Sequence, residues 1–290
     1  MSDFIHKTVL LNEAVDLLNC QKGKTYIDAT AGGGGHSFEI ARRIYPEGRL
    51  IMFDTDPDAI KAASAKLEPY KEITTIIKAN YSEIPEYVDK IDGGILFDLG
   101  VSSHQLTSGE RGFSFVKESP LDMRMDPENP INAYDIVNTE SQDELYRIFK
   151  ELGEERFSGR IARRIVEARK IKKITTTVEL ADIVKKSVPF QKNRRIHPAT
   201  RVFQALRIAV NNELDILEKT LNEVVQLLDK DARIVVISFH SLEDRLVKNT
   251  FKGSEKLKVL TKKPLVPTYE ETRSNPSARS AKMRAAEAVE

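Results

Sequence analysis

The sequence predicts an α/β protein whose Rossmann-like sheet domain is interrupted by an inserted helical domain. Short apolar runs alternate with helical patterns over the first hundred residues, which is typical of a parallel sheet with helical crossovers. A run of glycines separates the first strand from the helix that follows it. The alternation then stops for more than a hundred residues and resumes with an apolar run near residue 232, which indicates an insertion.

Six apolar runs have the length expected of strands, and the last of them has the weakest pattern. Helical patterns separate the first four runs, so we expect those strands to be parallel neighbours in one sheet. In chain order, the predicted strands are Lys24–Ala29, Arg49–Asp54, Ile73–Lys78, Gly94–Leu99, Ala232–Phe239 and, more weakly, Lys256–Thr261.

The loop after the first strand indicates a nucleoside-bearing cofactor. Residues 26–37 read YIDATAGGGGHS, so the four glycines Gly32 to Gly35 stand between a strand and a helical pattern. Glycine permits positive φ and lets a ligand approach the backbone closely, and such a loop typically begins a nucleotide-binding βαβ unit. The second strand ends at Asp54, 22 residues after Gly32, where an acid can accept hydrogen bonds from a ribose diol. A purely structural turn is the alternative, and it leaves this acid unexplained.

The composition of the loop favours S-adenosylmethionine over a dinucleotide. Dinucleotide sites use spaced glycines so that amides at a helix N-terminus can hold a pyrophosphate, whereas these glycines are contiguous. A carboxylate at Asp28 would repel a diphosphate and would suit an ammonium or sulfonium ion. S-adenosylmethionine carries both cations and no phosphate. We therefore expect methyl transfer, with a nicotinamide-dependent oxidoreductase as the alternative on the same fold.

A third acid follows the fourth strand. Ligands of open α/β sheets bind beyond the carboxyl ends of the strands, so Asp98 should lie in the same row as Asp28 and Asp54. Any one of these residues could be a helix or turn cap. Three acids that end three strands indicate a ligand site.

The net charge of +1 conceals a segregation of charge. Residues 156–207 contain 15 Lys and Arg against three acidic residues, and residues 245–290 contain 11 against five, so the rest of the chain is strongly acidic. Basic segments of this kind are expected in a protein that binds a phosphate backbone. The alternatives are solvated helix faces and a non-catalytic RNA-binding factor whose cofactor pocket has decayed.

Other features exclude several classes of protein. No apolar run approaches the ~18–20 residues of a membrane span, and the N-terminus lacks the pattern of a secretory signal. Cys20 is the single cysteine, so no internal disulfide can form. The five histidines show no metal-ligand spacing. We therefore expect a cytoplasmic protein without a metal site.

The insertion has helical and polar patterns with no convincing strand. One of its helices should begin with a capping box formed by Thr176 and Glu179. A single long helix is expected after Pro198, a residue suited to a first helical position. We predict that residues 1–106 and 198–290 form the methyltransferase domain and that residues 107–197 form a helical substrate-recognition domain. The apolar residues of the long helix are Val202, Phe203, Leu206, Val210, Leu214, Leu217 and Leu221.

Several longer motifs carry a family resemblance. They include HKTVLL from His6, DATAGGGGHS from Asp28, GGILFDLGVSSHQL from Gly93, RGFSF from Arg111 and LDMRMD from Leu121. Three more are RVFQALRIAVNNEL at 201–214, VVISFHSLEDRLVK at 235–248 and NPSARSAKMR at 275–284. Together, and in this order, they resemble the bacterial 16S rRNA (cytosine-N4)-methyltransferase family, the RsmH/MraW type.

This resemblance implies a class I S-adenosylmethionine-dependent methyltransferase. Its substrate would be the exocyclic N4 of one cytidine in the decoding region of small-subunit rRNA, within the assembled 30S particle. Asp98 would be the candidate catalytic group as well as a cofactor contact. The cofactor contacts implied position by position are Gly34, Gly35, His36, Asp54, Tyr81, Asp98 and Gln105.

Some side chains have two interpretations at this stage. Tyr81 would either stack on adenine or be a core aromatic, and His36 would either line the pocket or cap a helix. His240 and Asp244 follow the fifth strand, where His240 is as readily a packed core residue as a site residue. A target cytidine must leave its stack for its N4 to react. The candidates to stack on it are Phe113, Phe115 and Arg124, with packing as the alternative for the two phenylalanines.

Overall fold

A computed structural model describes residues 8–100, 111–190 and 196–290. These residues form two compact units, one from residues 8–100 and 214–290 and the other from residues 111–190 and 196–213. Among the described residues, no helix combines the length and the apolar character that crossing a membrane requires.

Helices are numbered along the chain. The first unit begins with α1 (Leu11–Leu18), α2 (Gly35–Ile44), α3 (Pro57–Leu67) and α4 (Ile84–Tyr87). The second unit contains α5 (Ala133–Thr139), α6 (Gln142–Glu151), α7 (Ser158–Ile171), α8 (Thr177–Ser187) and α9 (Thr200–Asn211). The chain continues with α10 (Glu213–Leu227), α11 (Ser241–Gly253) and α12 (Tyr269–Ser274).

The first unit contains a seven-stranded sheet. Its strands are β1 (Thr25–Asp28), β2 (Arg49–Asp54), β3 (Thr74–Lys78), β4 (Gly94–Asp98), β5 (Arg233–Ser238), β6 (Leu257–Val259) and β7 (Lys282–Ala288). Their spatial order is β3-β2-β1-β4-β5-β7-β6. Strands β1 to β5 are parallel, whereas β7 is antiparallel to both β5 and β6. This arrangement confirms the predicted Rossmann-like fold.

Both faces of the sheet are buried because its central strands are apolar at nearly every position. In β2, Leu50 and Met52 face α1, α2 and α3, and Ile51 and Phe53 face the opposite cluster, to which α4, α10 and α11 contribute. All four side chains are at most 5% exposed. The two layers of helices therefore hold the sheet rigidly and leave its carboxyl edge to the loops.

Strand β7 was not predicted from the sequence. Its residues, KMRAAEA, are rich in Ala and charged residues, which are depleted in strands. The strand forms because it lies between β5 and β6, with Val236 paired to Arg284 and Val259 paired to Ala286. Five of its seven residues are buried, so tertiary pairing overrides local propensity.

The second unit departs from the predicted all-helical insertion at its start. Residues 111–132 contain no helix. Gly112 has φ +70° and Met123 has φ +63°, and prolines stand at 120, 127 and 130, so helical hydrogen bonding cannot continue through this segment. The predicted capping box of α8 is confirmed, because Thr176 Oγ1 accepts the N–H of Glu179 at 3.3 Å and Glu179 Oε2 accepts the N–H of Thr176 at 3.2 Å.

The single long helix predicted after Pro198 is wrong. The chain forms α9 and α10 instead, with Asn212 between them at φ +47° and ψ +38°. Asn is one of the few residues that adopt the left-handed conformation without a large cost. Helix α9 packs on α5 and α6 and so belongs to the helical unit. The predicted domain boundary after residue 197 would instead place α9 in the methyltransferase domain. The role of this unit in substrate recognition stays a prediction.

Candidate functional site

The glycine loop turns sharply between β1 and α2. Gly32 and Gly34 have φ of +51° and +73°, which side chains other than glycine rarely adopt. A Cβ at Gly34 would lie 3.0 Å from Cα of Ala63, and one at Gly35 would lie 1.8 Å from Oγ1 of Thr8. The glycines are therefore required both by the turn and by the close approach of neighbouring chain.

Asp54 fixes the start of this loop. Its Oδ2 accepts the N–H of Gly32 and its Oδ1 accepts the N–H of Asp56, both at 2.8 Å. Burial raises the pKa of Asp54, and the backbone hydrogen bonds oppose that shift. Asp56 is buried and caps α3 by accepting the N–H of Asp58, so the prediction that Asp56 is a cap is confirmed.

Asp28 is an internal support rather than an open ligand group. The residue is 1% exposed. Its Oδ2 accepts the hydroxyl of Ser37 at 2.5 Å, and its Oδ1 accepts the N–H of Thr30 at 3.2 Å. Burial raises the pKa of Asp28 to about 6. The expectation that Asp28 itself meets a cation is therefore not supported by its contacts.

Asp98 is the carboxylate left without a full set of partners. Its side chain is 22% exposed, but its Oδ1 is enclosed and has no hydrogen-bond partner among the described residues. The backbone N–H of Asp98 donates to Oγ1 of Thr30 at 2.7 Å, which ties the end of β4 to the glycine loop. Burial, with the charges of Asp28 and Glu243, raises the pKa of Asp98 to about 8.

His36 lies beside Asp98 on the first turn of α2. Its Nε2 is 3.1 Å from the carbonyl oxygen of Val9, and its Nδ1 is 3.6 Å from Oδ2 of Asp98. A carbonyl oxygen can only accept, so we assign the proton to Nε2. In the neutral ring, Nδ1 then presents its lone pair to Asp98. The predicted residues His36 and Asp98 are therefore brought together, with His36 4% exposed.

Tyr81 begins a short 3-10 turn after β3 and is partly buried. Its ring makes an edge-to-face contact with Phe97, with 5.8 Å between centroids. It packs at the margin of the core rather than inside it. Stacking on adenine therefore stays a prediction for Tyr81.

The remaining candidates are one predicted cofactor contact and the three residues predicted to stack on the cytidine. Gln105 falls outside the described residues. Phe113 is 9% exposed, which favours the packing interpretation. Arg124 holds both oxygens of Asp122 through Nε and Nη2, at 2.7 and 3.0 Å. Phe115 packs against His197 and is only partly exposed. Internal contacts therefore engage all three proposed stacking residues.

His240 and Asp244 have structural partners at the start of α11. His240 is the N-cap of that helix, and its Nε2 is 3.1 Å from Oε1 of Glu243. Asp244 accepts from Nε of Arg284 at 2.6 Å and from Nζ of Lys282 at 3.4 Å. Burial works to raise the pKa of Asp244, but the two cations hold it below its usual value.

Sequence reasoning missed Thr30 and Ser37, which support the acids, and Val9, whose carbonyl oxygen contacts His36. Thr30 and Ser37 stand within the glycine motif, so a signal for them existed in the spacing of hydroxyls around Asp28. Val9 contributes only a carbonyl oxygen, and no sequence pattern could have identified it.

The basic residues of the second unit divide into two groups. Arg169 donates to the carbonyls of Val137 and Glu140, and Arg207 pairs with Glu213 through two 2.9 Å hydrogen bonds. Those arginines hold the unit together. The charged residues exposed on α7, in contrast, are Arg160, Arg163, Arg164, Glu167 and Lys170, and we call them the exposed face of α7; Gly159 and Ile171 are exposed beside them.

Comparisons with known proteins agree on one family. A model of the MraW methylase family matches residues 3–289. The chain is 48% identical to Ribosomal RNA small subunit methyltransferase H of Carboxydothermus hydrogenoformans, with 98% of each chain covered. It is 46% identical to the protein of the same name in Desulfosudis oleivorans, with 99% of each covered. A crystal structure of a candidate rRNA-methylase from Clostridium thermocellum has a TM-score of 0.50 at 14% identity over 98% of each chain, and so supports the fold alone.

Proposed function

The chain belongs to the MraW methylase family and is an S-adenosylmethionine-dependent methyltransferase; on that premise we propose that it methylates N4 of a cytidine in small-subunit rRNA. The relatives named above are small-subunit rRNA methyltransferases. They cover the chain almost from end to end, so we propose small-subunit rRNA as the substrate of this protein as well.

The observation that carries the proposal is the enclosed Oδ1 of Asp98. A buried carboxylate oxygen without a partner is costly, and it is complementary to a cation that arrives with a ligand. Asp98 lies beside the glycine loop, because its backbone N–H donates to Oγ1 of Thr30. S-adenosylmethionine fits this site. It carries two cations, an ammonium and a sulfonium, either of which could pair with Asp98. It also carries a ribose, whose hydroxyls need a second acid.

The other cofactor contacts follow from position. Asp54 would receive the ribose hydroxyls on the lone pairs that Gly32 and Asp56 leave free, and Tyr81 would stack on adenine. Gly34, Gly35 and His36 would border the methionine portion at the start of α2. Gln105, outside the described residues, keeps its predicted role on the resemblance alone.

The chain's contribution to the reaction is alignment and proton removal. S-adenosylmethionine supplies an electrophilic methyl group on a sulfonium ion. Holding that group in line with N4 provides most of the acceleration. As N4 forms its bond to carbon it becomes acidic, and a nearby carboxylate can take the proton. Asp98 is the proposed acceptor because its carboxyl group ends β4 beside the glycine loop, at the place proposed for the cofactor.

Cys20 supports N4 over C5 as the target atom. Methylation at C5 of cytosine needs a thiolate nucleophile. Burial raises the pKa of Cys20 to about 12. The residue follows α1 and precedes β1, so it stands at the amino end of the strand while the acids stand at the carboxyl end. An amine target needs no such nucleophile.

The exposed face of α7 is the proposed contact with the rRNA backbone. Arg160 and Lys170 make no ion pair among the described residues, and Arg163 and Arg164 share the single carboxylate of Glu167. The surplus positive charge suits phosphates. We extend the proposal to the assembled 30S particle in the cytoplasm, following the family resemblance.

The test is to compare small-subunit rRNA from cells with and without the gene for this protein. Nucleosides from a complete digest are separated and identified by mass. N4-methylcytidine, with or without a 2′-O-methyl group, should disappear when the protein is absent and return with a plasmid copy. If a C5-methylcytidine were lost instead and N4 methylation stayed intact, the target atom of this enzyme would be C5 and not N4. A Cys20→Ser copy should restore the modification as well as the wild type does.

A further inference from the structure

A contact between distant parts of the chain lies next to the candidate site. Oε1 of Glu271, on α12, accepts the backbone N–H of Leu10 at 2.8 Å, across 261 positions of sequence. Glu271 is partly buried, whereas its neighbour Glu270 is exposed. Helix α12 itself is short and is capped by Thr268, whose Oγ1 accepts the N–H of Glu271 at 3.1 Å. The backbone of Glu271 is thus held by the cap of its own helix.

Leu10 needs this partner. It is the N-cap of α1 in a left-handed conformation, with φ +51° and ψ +36°, and within the described part of the chain no local side-chain cap hydrogen bond is made at that helix end. A leucine is strained there, and its side chain is buried, with 1% exposed. A carboxylate at a helix N-terminus satisfies an otherwise unpaired N–H and interacts favourably with the helix dipole. Glu271 therefore supplies the cap that the local sequence lacks.

From Leu10 a line of contacts leads to the acid at the end of β4. The preceding carbonyl, that of Val9, contacts Nε2 of His36 at 3.1 Å, and Nδ1 of His36 is 3.6 Å from Oδ2 of Asp98. Thr8, one residue earlier, lies against Gly35. The backbone conformation of this segment therefore determines both the proton position and the orientation of the His36 ring.

Sheet topology explains why Glu271 can reach this place. Both β5 and β6 are antiparallel to β7, so β6 ends at the same edge as β5. Residues 260–281, which connect β6 to β7, therefore leave and return at the carboxyl edge of the sheet. That is the edge where Asp54 and Asp98 end their strands.

We propose that Glu271 is a positioning residue of the cofactor site, which holds Leu10 and Val9 so that the ring of His36 keeps its place at the start of α2. The inference rests on the proposed function, in which His36 and Asp98 contact S-adenosylmethionine. Glu271 acts at a distance and touches neither the cofactor nor the rRNA. Its effect should therefore fall on cofactor affinity, because His36 is placed at the cofactor and not at the reacting N4.

The experiment compares Glu271→Ala, Glu271→Gln and Glu270→Ala in the full chain. S-adenosylmethionine binding is measured by calorimetry, and KM and kcat are measured on 30S subunits that lack the modification. Glu271→Ala should raise both Kd and KM for S-adenosylmethionine about tenfold, as loss of one charge-assisted hydrogen bond would, with kcat at saturation unchanged. Glu271→Gln keeps an acceptor oxygen and should restore most of the affinity. Glu270→Ala should match the wild type.

The outcomes separate this inference from the proposed function. Unchanged affinity in Glu271→Ala would overturn the inference, and so would a Glu271→Gln protein as impaired as Glu271→Ala. A lower Tm in Glu271→Ala with normal Kd and KM would show that Glu271 only stabilises the fold, and this result would also overturn the inference. If the wild type itself bound no S-adenosylmethionine, the proposed function would fail first. If Glu271→Ala proves unstable, Glu271→Asp, which keeps the charge but shortens the side chain by one methylene, takes its place and should raise Kd and KM in the same direction; unchanged values would overturn the inference.

Discussion

Oδ2 of Asp54 accepts the backbone N–H of Gly32 at 2.8 Å, so the acid that ends β2 and the first glycine of the loop are directly joined. The sequence suggested two separate features, an acid and a loop spaced 22 residues apart. In the structure the acid helps to shape the loop. Two carboxylate oxygens offer about four lone pairs, more than these backbone bonds use, so shaping the loop and receiving a ribose are compatible roles.

Asp54→Ala should weaken S-adenosylmethionine binding by about 2–3 kcal/mol, since charge-assisted hydrogen bonds are lost. Part of that loss would come from the loop, because Gly32 loses its partner. Titration calorimetry measures the effect, and Asp58→Ala, on the exposed side of α3, is the matched control. A folded Asp54→Ala protein with wild-type affinity would mean that the ribose binds elsewhere.

The affinity for S-adenosylmethionine should depend on pH through Asp98. The carboxyl group, with a pKa of about 8, must lose its proton to hold a cation. Affinity should therefore fall as the pH is lowered below about 8, approaching tenfold per unit. The groups around it are His36, Asp28 and Glu243. Calorimetry in two buffers of different ionisation enthalpy counts the protons released.

Asp98→Asn supplies the control for that pH dependence. It should bind S-adenosylmethionine more weakly and with little dependence on pH between about 6 and 9, since asparagine does not titrate. A wild-type affinity that stays flat over the same range would show that Asp98 does not bind the cation. A large fall in kcat at saturating cofactor in Asp98→Asn would support its second role as proton acceptor.

The stability of the ligand-free protein should decrease as the pH rises. Asp28 and Asp98 have folded pKa values of about 6 and about 8, above the ordinary value of 3.8. The folded chain therefore binds more protons than the unfolded chain between these limits. The stabilisation is complete below about pH 4 and is lost as the pH rises through about 6 and then about 8. The Tm difference between about pH 5 and pH 8.5, measured by calorimetry, should shrink in Asp98→Asn, and an equal difference would contradict the assignment.

Replacing Arg160 and Lys170 together with glutamine should weaken binding to 30S subunits. If both hold phosphates, the log–log dependence of affinity on salt should flatten by roughly 0.7–0.9 per lost contact. Arg147→Gln on α6 is the control, because that arginine is equally exposed but already pairs with Glu144 and Glu151. Equal salt slopes in all three proteins would remove the exposed face of α7 from the interface.

Arg194 and Arg195, outside the described residues, remain candidates of the same kind. Replacing both with glutamine should lower rRNA affinity and flatten its salt dependence without altering S-adenosylmethionine binding. Binding of both ligands is measured on the one variant at two salt concentrations. No change in either would show that these arginines only solvate the surface. A loss of both affinities would indicate a structural role instead.

The sequence by itself determined the parts of the protein that local chemistry specifies. Strands β1 to β5 were predicted to within one or two residues at their ends, because an apolar run bounded by turn residues is a local signal. The glycine loop followed from the need for positive φ at Gly32 and Gly34. The row of Asp54 and Asp98 followed from the rule that parallel strands end at one edge.

Only the tertiary structure decided the features that depend on contacts distant in sequence. Strand β7 exists because β5 and β6 pair with it, against the propensity of its own residues. Asp28 became a buried support through the hydroxyl of Ser37, whereas Oδ1 of Asp98 has no hydrogen-bond partner within residues 8–100, 111–190 and 196–290. The contact between Glu271 and Leu10 joins the two ends of the chain through one carboxylate and one backbone N–H. A backbone donor has no side-chain identity, so no sequence pattern can reveal which acid it binds; the fold alone brings the two together.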